Sequence, residues 1–251
     1  MKITATIQAR MGSSRLPGKV LKKIYNKPLL EWQIDRIKKC VLIDEILVAT
    51  TINSNDQAII DFCNLKKIKY WAGSEKDVLS RVNNAFNSTN SEVHVEFYGD
   101  SPFIDPLLID RYIGFFIKNY NQIDLLTNTI KTTFPPGNEF VIYKKKCLNF
   151  AQNNTDQDDP LREHVSVNII NKNVFKTLNI EAKGIYNKPN LYLEIDSPED
   201  FKMLEKLIPI VIKDRGIDFS LKDIINISNR ERTLCLSNTK VERKWKKFRE
   251  D

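Results

Sequence analysis

ITATIQARMGSSRLPGK, residues 3–19, is the stretch on which the fold turns. Ile3 to Ile7 is a short apolar run of the length of a buried strand. It gives way to a polar loop holding Gly12, Ser13, Ser14, Pro17 and Gly18 and the cations Arg10, Arg15 and Lys19. A helical pattern opens near Pro28. A strand that delivers a small-residue, cationic loop at its C-terminal end is how an open α/β sheet builds a polyanion site. Small residues let backbone N–H groups approach phosphate oxygens, and Arg and Lys add charge-assisted hydrogen bonds. The spacings G-x-x-x-x-G-K-[ST] and G-x-G-x-x-G are both absent, so this is neither a Walker A loop nor a dinucleotide fingerprint. A solvated loop that merely carries three cations is the plainer alternative, and composition does not separate the two.

Outward from this stretch, strand and helix signals alternate. Residues 28–40 place apolar side chains at Leu29, Leu30, Ile34 and Ile37, one buried helix face. Residues 44–50 read as a buried strand and 68–71 as a third. Between them, 55–65 reads as a helix with Ile59, Ile60 and Phe62 inward. In residues 73–86 Ser74 is the expected N-cap of a helix, with Asp77 three residues on. Asp77 and Arg81 are spaced as a surface i,i+4 pair. Residues 92–97 alternate as a strand and run into Tyr98-Gly99-Asp100-Ser101-Pro102. Asp105 before Pro106 is the N-cap and N1 pattern of a helix to Lys118. Asp100 has no such local role. A carboxylate just past a strand end suits Mg²⁺, which takes one or two protein carboxylates and completes its shell with phosphate and water.

Residues 123–126 and 140–143 read as strands and 144–154 as a helix. Arg162, Glu163 and His164 stand where a polar loop is expected to enter a strand, and a salt-bridged surface would account for them. Residues 191–195 read as a strand ending at Asp196. Ser197, Pro198, Glu199 and Asp200 then open a helix to about Leu207, and 218–227 reads as a last helix. The alternation predicts an α/β fold, a mainly parallel sheet with helices on both faces. One domain is expected over residues 1–235, with 128–190 as a lid or dimerisation arm and 236–251 as a basic tail.

The chain of 251 residues is long enough for one large α/β domain. Its 41% hydrophobic and 28% charged content suits a soluble globular protein. No run of 18 apolar residues occurs, and Ile3 to Ile7 is too short for a secretory h-region, so no stable membrane insertion and a cytoplasmic location are expected. Cys40, Cys63, Cys147 and Cys235 form no C-x-x-C pair and only His94 and His164 are present, which argues against zinc sites and disulfide frameworks. The net charge of +7 admits nucleic acid, an anionic membrane or a small polyanion as partner. Much of the excess lies in KVERKWKKFR, residues 240–249, expected to be a solvated terminal helix packing Trp245 and Phe248, with contact to a membrane surface or another subunit as the alternatives.

QARMGSSRLPGKVL (8–21), GSEKDVLSR (73–81), GDSP (99–102), TTFPPGNEF (132–140), REHV (162–165) and DSPED (196–200) together decide among the partners. With these motifs in this order the chain resembles the sugar-activating cytidylyltransferases of spore-coat polysaccharide biosynthesis and the related 3-deoxy-manno-octulosonate cytidylyltransferases. The resemblance implies a Rossmann-like, GT-A-like nucleotide-diphospho-sugar transferase sheet. It implies transfer of CMP from CTP to a sugar or sugar phosphate with release of pyrophosphate, dependence on Mg²⁺, and a homodimer. Nucleic acid is then not a partner.

The resemblance also carries residue roles. Arg10, Gly12, Ser13, Ser14, Arg15 and Lys19 would wrap the triphosphate, with Arg10, Arg15 and Lys19 neutralising the leaving charge. Gln8, Ala9, Asp77 and Arg81 would lie near the base or ribose. Asp100 and Asp196 would share the metal. Arg162, Glu163 and His164 become candidates for the acceptor, and Glu139 joins them with its role open. Two nucleotide-sugar alternatives stay alive: a related enzyme using another triphosphate such as GTP, and a glycosyltransferase. For the latter the chain offers one D-x-D, Asp156-Gln157-Asp158, in a polar loop. A non-enzymatic nucleic-acid or membrane-binding module is the third.

Overall fold

The computed structural model describes residues 1–249. Strand β1 (Ile3–Gln8) leads through the cationic loop into a short hairpin, β2 (Lys23–Ile24) and β3 (Lys27–Pro28), then α1 (Leu29–Ile37). There follow β4 (Glu45–Thr51), α2 (Gln57–Lys66), β5 (Lys69–Gly73), α3 (Val78–Asn87), β6 (Val93–Tyr98) and α4 (Pro106–Lys118). The second half runs β7 (Leu125–Thr127), β8 (Val141–Lys144), α5 (Lys145–Asn153), α6 (Val165–Asn171) and β9 (Thr177–Asn179). It closes with α7 (Pro198–Arg215), α8 (Leu221–Arg230) and α9 (Arg232–Cys235).

Seven strands form one sheet in the order β5-β4-β1-β6-β8-β7-β9. All neighbours are parallel except β8, which runs antiparallel to both β6 and β7. The sheet is thus the mainly parallel one the sequence predicts. Strand order reverses between β1 and β6, so the loops after these two strands open onto the same crevice.

The burial pattern explains the layers. On one face Ile3, Ala5 and Ile7 of β1 and Val93, Val95 and Phe97 of β6 pack against α1, α2 and α4. On the other, α3, α5 and α6 bring Val82, Phe86, Leu148 and Ile169 onto Leu125, Val141 and Tyr143. A further apolar cluster joins α7 and α8 to Trp32, Phe103, Leu193 and Ile195.

Several local readings change. The inward face of α2 is Ile59 and Cys63, one turn apart on the same side, whereas Ile60 and Phe62 flank that face and are half-buried. Residues 191–195 form no paired strand. They are held by Leu193 N–H on Pro136 O (2.6 Å) and Ile195 N–H on Asp100 O (2.9 Å). The stretch expected as a strand after His164 is helix α6, entered through a 3-10 turn over Pro160–Glu163. Helix α7 continues past Leu207 and through Pro209 because Ser197 and Asp200 close a capping box and an apolar stripe to Val211 stays buried.

The tail departs most from expectation. It is no solvated helix: Arg243 is buried, with its guanidinium on Asp200 (2.7 and 3.0 Å), and a 3-10 turn covers Lys244–Phe248. A buried cation needs a buried carboxylate partner, and Asp200 draws the tail back onto the domain.

Candidate active site

The loop after β1 is braced from both sides. Asp56 accepts from Met11 N–H (2.6 Å), and Met11 O takes the N–H groups of Ser13 and Gly18 (both 2.9 Å). Gly18 sits at φ 68°, the left-handed region that glycine enters without strain. Ser13 Oγ receives Leu16 N–H at 3.4 Å, and Gly12 and Ser14 are exposed. The backbone N–H groups of Gly12, Ser14 and Arg15 have no partner among the described residues, which leaves them for an anion.

The end of that loop meets two carboxylates. Lys19 Nζ donates to Asp196 Oδ1 (2.9 Å), Asp100 Oδ2 (3.2 Å) and Ile195 O (2.7 Å). Arg15 adds a bond to Asp196 Oδ2 (2.9 Å) and one to Glu242 O (2.7 Å). Asp100 comes from the β6 end and Asp196 from the residue before the α7 cap, so distant parts of the chain converge on one ammonium. Burial works against the Lys19 ammonium, yet Asp100 and Asp196 outweigh it and hold its pKa up. Burial, with Asp196 adding to it, raises the Asp100 carboxyl against the pull of Lys19. Asp196 goes down, because Lys19 and Arg15 overcome its burial.

The donor set fits a hard cation. Asp100 and Asp196 offer oxygen alone, and Lys19 already holds a positive charge between them. No group of three or more His, Cys, Asp or Glu suited to a metal occurs among the described residues, so phosphate and water would fill the other positions.

Arg10 stands at the cleft edge, 3.5 Å from Glu75 and 3.7 Å from the exposed Glu163. Gln8 turns to the sheet and donates to Glu96 (3.0 Å). The Ala9 side chain lies in the core and its N–H is spent on Ala49 O (3.2 Å), so only its carbonyl is left for a ligand.

Asp77 and Arg81 do not pair. Asp77, not Ser74, is the N-cap of α3, accepting from Ser80 N–H (2.9 Å), while Ser74 Oγ takes Asp77 N–H (3.0 Å). Arg81 is buried and donates to Ser74 O, bracing the loop before the helix. Burial, helped by the nearby Arg10, lowers its pKa to about 10. Arg162 is also buried rather than presented to an acceptor. It grips both oxygens of Asp77 (3.0 and 2.8 Å) and Thr155 O (2.8 Å), so each of its nitrogens has a partner.

The remaining groups lie against the tail. Glu139 is buried, one oxygen on Gly137 N–H (2.6 Å) and the other on Arg249 (3.1 Å). His164 lies 4.5 Å from the Phe248 ring, its pKa lowered chiefly by burial.

Glu194, Arg243 and Arg249 are not singled out in the sequence, and Trp245 is expected there only as a packing residue of the tail. Glu194 accepts from Trp245 Nε1 (2.7 Å) and pairs with Arg243 (3.2 Å). Its pKa is pushed well up by burial, reinforced by the like charges of Glu139, Asp196 and Asp100. The one signal available was spacing, since Glu194 lies two residues before Asp196.

The chain as a whole is similar to other proteins. A family model described as cytidylyltransferase fits residues 4–226. The chain belongs to the cytidylyltransferase family. Among its relatives, an uncharacterized protein of Methanocaldococcus jannaschii is 35% identical over 92% of this chain and 96% of its own length. The spore coat polysaccharide biosynthesis protein SpsF of Bacillus subtilis is 27% identical, covering 89% of this chain and 92% of SpsF. A solved cytidylyltransferase from Leptospira borgpetersenii superposes with a TM-score of 0.87 at 26% identity, over 97% of this chain and 100% of that one. The cytidylyltransferase family model ends before the tail that covers Glu139 and Glu194.

Proposed function

We propose that this cytidylyltransferase-family protein transfers CMP from CTP to a hydroxyl or phosphate oxygen of a sugar-type acceptor, in nucleotide-sugar synthesis for a surface polysaccharide. The observation that carries it is the meeting of Lys19, Arg15, Asp100 and Asp196 at the mouth between β1 and β6. The acceptor oxygen forms a bond to the α-phosphorus, the bond from that phosphorus to pyrophosphate breaks, and the acceptor proton leaves to water.

The free N–H groups of Gly12, Ser14 and Arg15 and the side chain of Arg10 receive the β- and γ-phosphates, and Arg15 and Lys19, held on Asp196 and Asp100, add positive charge beside them. They stabilise the charge that grows on the leaving group. Asp100 and Asp196 would hold Mg²⁺, which would polarise the α-phosphate when bound. Positioning by fixed charges, rather than covalent catalysis, is what the residues provide.

A cytoplasmic setting agrees with four buried, unpaired cysteines, and no helix among the described residues is long and apolar enough to cross a membrane. A homodimer is part of the proposal. Residues 128–190 form no separate arm, since β8 lies inside the sheet and α5 and α6 cover it, so the contact is placed at β9, an edge strand with Leu178 exposed, and checked by sedimentation.

The deciding assay offers each nucleoside triphosphate with Mg²⁺ and a panel of acidic sugars and sugar phosphates, and reads pyrophosphate. Release that needs both CTP and an acceptor supports the proposal. No release from any pairing, or nucleoside diphosphate released from a sugar nucleotide, overturns it.

A further inference from the structure

We propose that Lys244–Arg249 is the cover of the acceptor subsite, and that a hydroxyl-bearing acceptor binds beneath it on Glu139 and Glu194 with Trp245 as one wall. This rests on the transfer reaction proposed above and says where its second substrate sits.

The tail divides at Arg243. Up to that residue it is anchored: Arg243 and Asn238 both bond to the buried Asp200, and Arg243 stacks on Tyr192 at 4.3 Å. Beyond it, the side-chain contacts are few and each is polar or aromatic. Trp245 Nε1 donates to Glu194 (2.7 Å), Arg249 donates to Glu139 (3.1 Å) and Thr132 (3.0 Å), and Phe248 lies on His164. Lys244, Lys246 and Lys247 are exposed, so the outer surface of the cover is wet.

The covered groups have carbohydrate-binding chemistry. Carboxylates accept hydroxyl donors, and an indole offers a flat apolar face against a sugar ring. The Trp245 N–H and the Arg249 guanidinium donate to the carboxylate oxygens that sugar hydroxyls would reach. Two open depressions, of about 370 and 250 Å³, lie elsewhere and are lined by none of these carboxylates. Arg15 ties the same tail to the triphosphate loop through Glu242 O, which places the cover beside the reacting groups.

The test compares the full chain with one ending at Arg243, which keeps the anchor, and with Trp245→Phe. In the first arm a water-soluble carbodiimide with an amine label modifies carboxylates, read by mass spectrometry. Glu139 and Glu194 are expected to label at least about tenfold faster in the shortened chain. Equal labelling overturns the proposal. In the second arm a hexose 1-phosphate, a hexosamine 1-phosphate and a 3-deoxy-ulosonic acid are assayed with CTP for pyrophosphate.

For whichever acceptor turns over, shortening is expected to raise the acceptor KM about tenfold and to leave the CTP KM within about twofold. Trp245→Phe should raise it less. An unchanged or lowered acceptor KM, or an equal rise for CTP, overturns the proposal. Silence from all three acceptors counts against the transfer reaction, and the labelling arm then decides the cover alone.

Discussion

Strands β1 and β6 carry titratable groups in two places and treat them in opposite ways. Past their C-terminal ends Lys19 and Arg15 interlock with Asp100 and with Asp196 from before α7, partly open to solvent. A few residues back, on the face covered by α3, His94 and Glu96 are wholly buried beside Thr4 and Thr6. Burial lowers the His94 pKa to about 3 and raises that of Glu96 to about 7. His94 is stacked between Phe86 (4.6 Å) and Tyr143 (4.8 Å) with no hydrogen-bond partner for either nitrogen among the described residues. Glu96 accepts from Tyr143 (2.7 Å) and Gln8 (3.0 Å). The same strands thus keep charge where a polyanion must be met and suppress it where no counter-ion reaches. Partners, not residue type, decide which.

The sharpest way to break this contrast is to remove the shared cation. Lys19→Met leaves two carboxylates facing each other and is expected to destabilise the metal-free protein by about 3–5 kcal/mol. Mg²⁺ should restore part of that loss and EDTA remove the gain, as read by denaturant unfolding. Restoration by NaCl to the same extent as by MgCl₂ would count against a divalent site.

Next comes the carboxylate. Asp100→Asn should keep the fold and lower turnover by roughly 10²–10³, about 2.7–4 kcal/mol in barrier. Near-normal turnover at saturating Mg²⁺ would remove Asp100 from the reaction.

The buried face is probed by pH. The folded pKa of Glu96 lies above its ordinary 4.5, so its contribution to stability is full below about pH 4.5 and is lost as pH rises through about 7. Glu96→Gln lacks that dependence. The stability difference between the two chains should therefore grow in favour of the variant by on the order of 3 kcal/mol between pH 4.5 and 7. A difference that stays flat over that window would show that folding does not raise the Glu96 pKa.

The smallest effect is at the rim. Arg10 meets Glu75 at 3.5 Å with both side chains more than a third exposed, so Arg10→Ala should change stability by no more than about 1 kcal/mol. Its effect should appear instead in CTP affinity, measured by calorimetry.

What the sequence discloses follows the same division. Interactions local in the chain are legible. Asp105 caps α4 with Pro106 at its first position, Ser197 opens α7, and the strand and loop of residues 3–19 take their expected form. Partners far apart in the chain are not. Nothing local marks Asp200 as the anchor of Arg243, or Asp77 as the grip on Arg162, because each bond depends on how separate elements pack. Residues 191–195 read as a strand because they are a short, mostly apolar run, but their neighbours are a turn at Pro136 and the Asp100 backbone rather than another strand. The run reports burial, not pairing.

The reversed direction of β8 has a last consequence. In a parallel strand the residues that follow it arrive at the crevice, as Asp100 does after β6. Because β8 enters the sheet from the crevice end, the residue delivered there is one that precedes it, Glu139. A search for acceptor contacts in relatives of this chain should therefore read upstream of the antiparallel strand. Loops exchanged there to alter acceptor choice belong before Val141, not after Lys144.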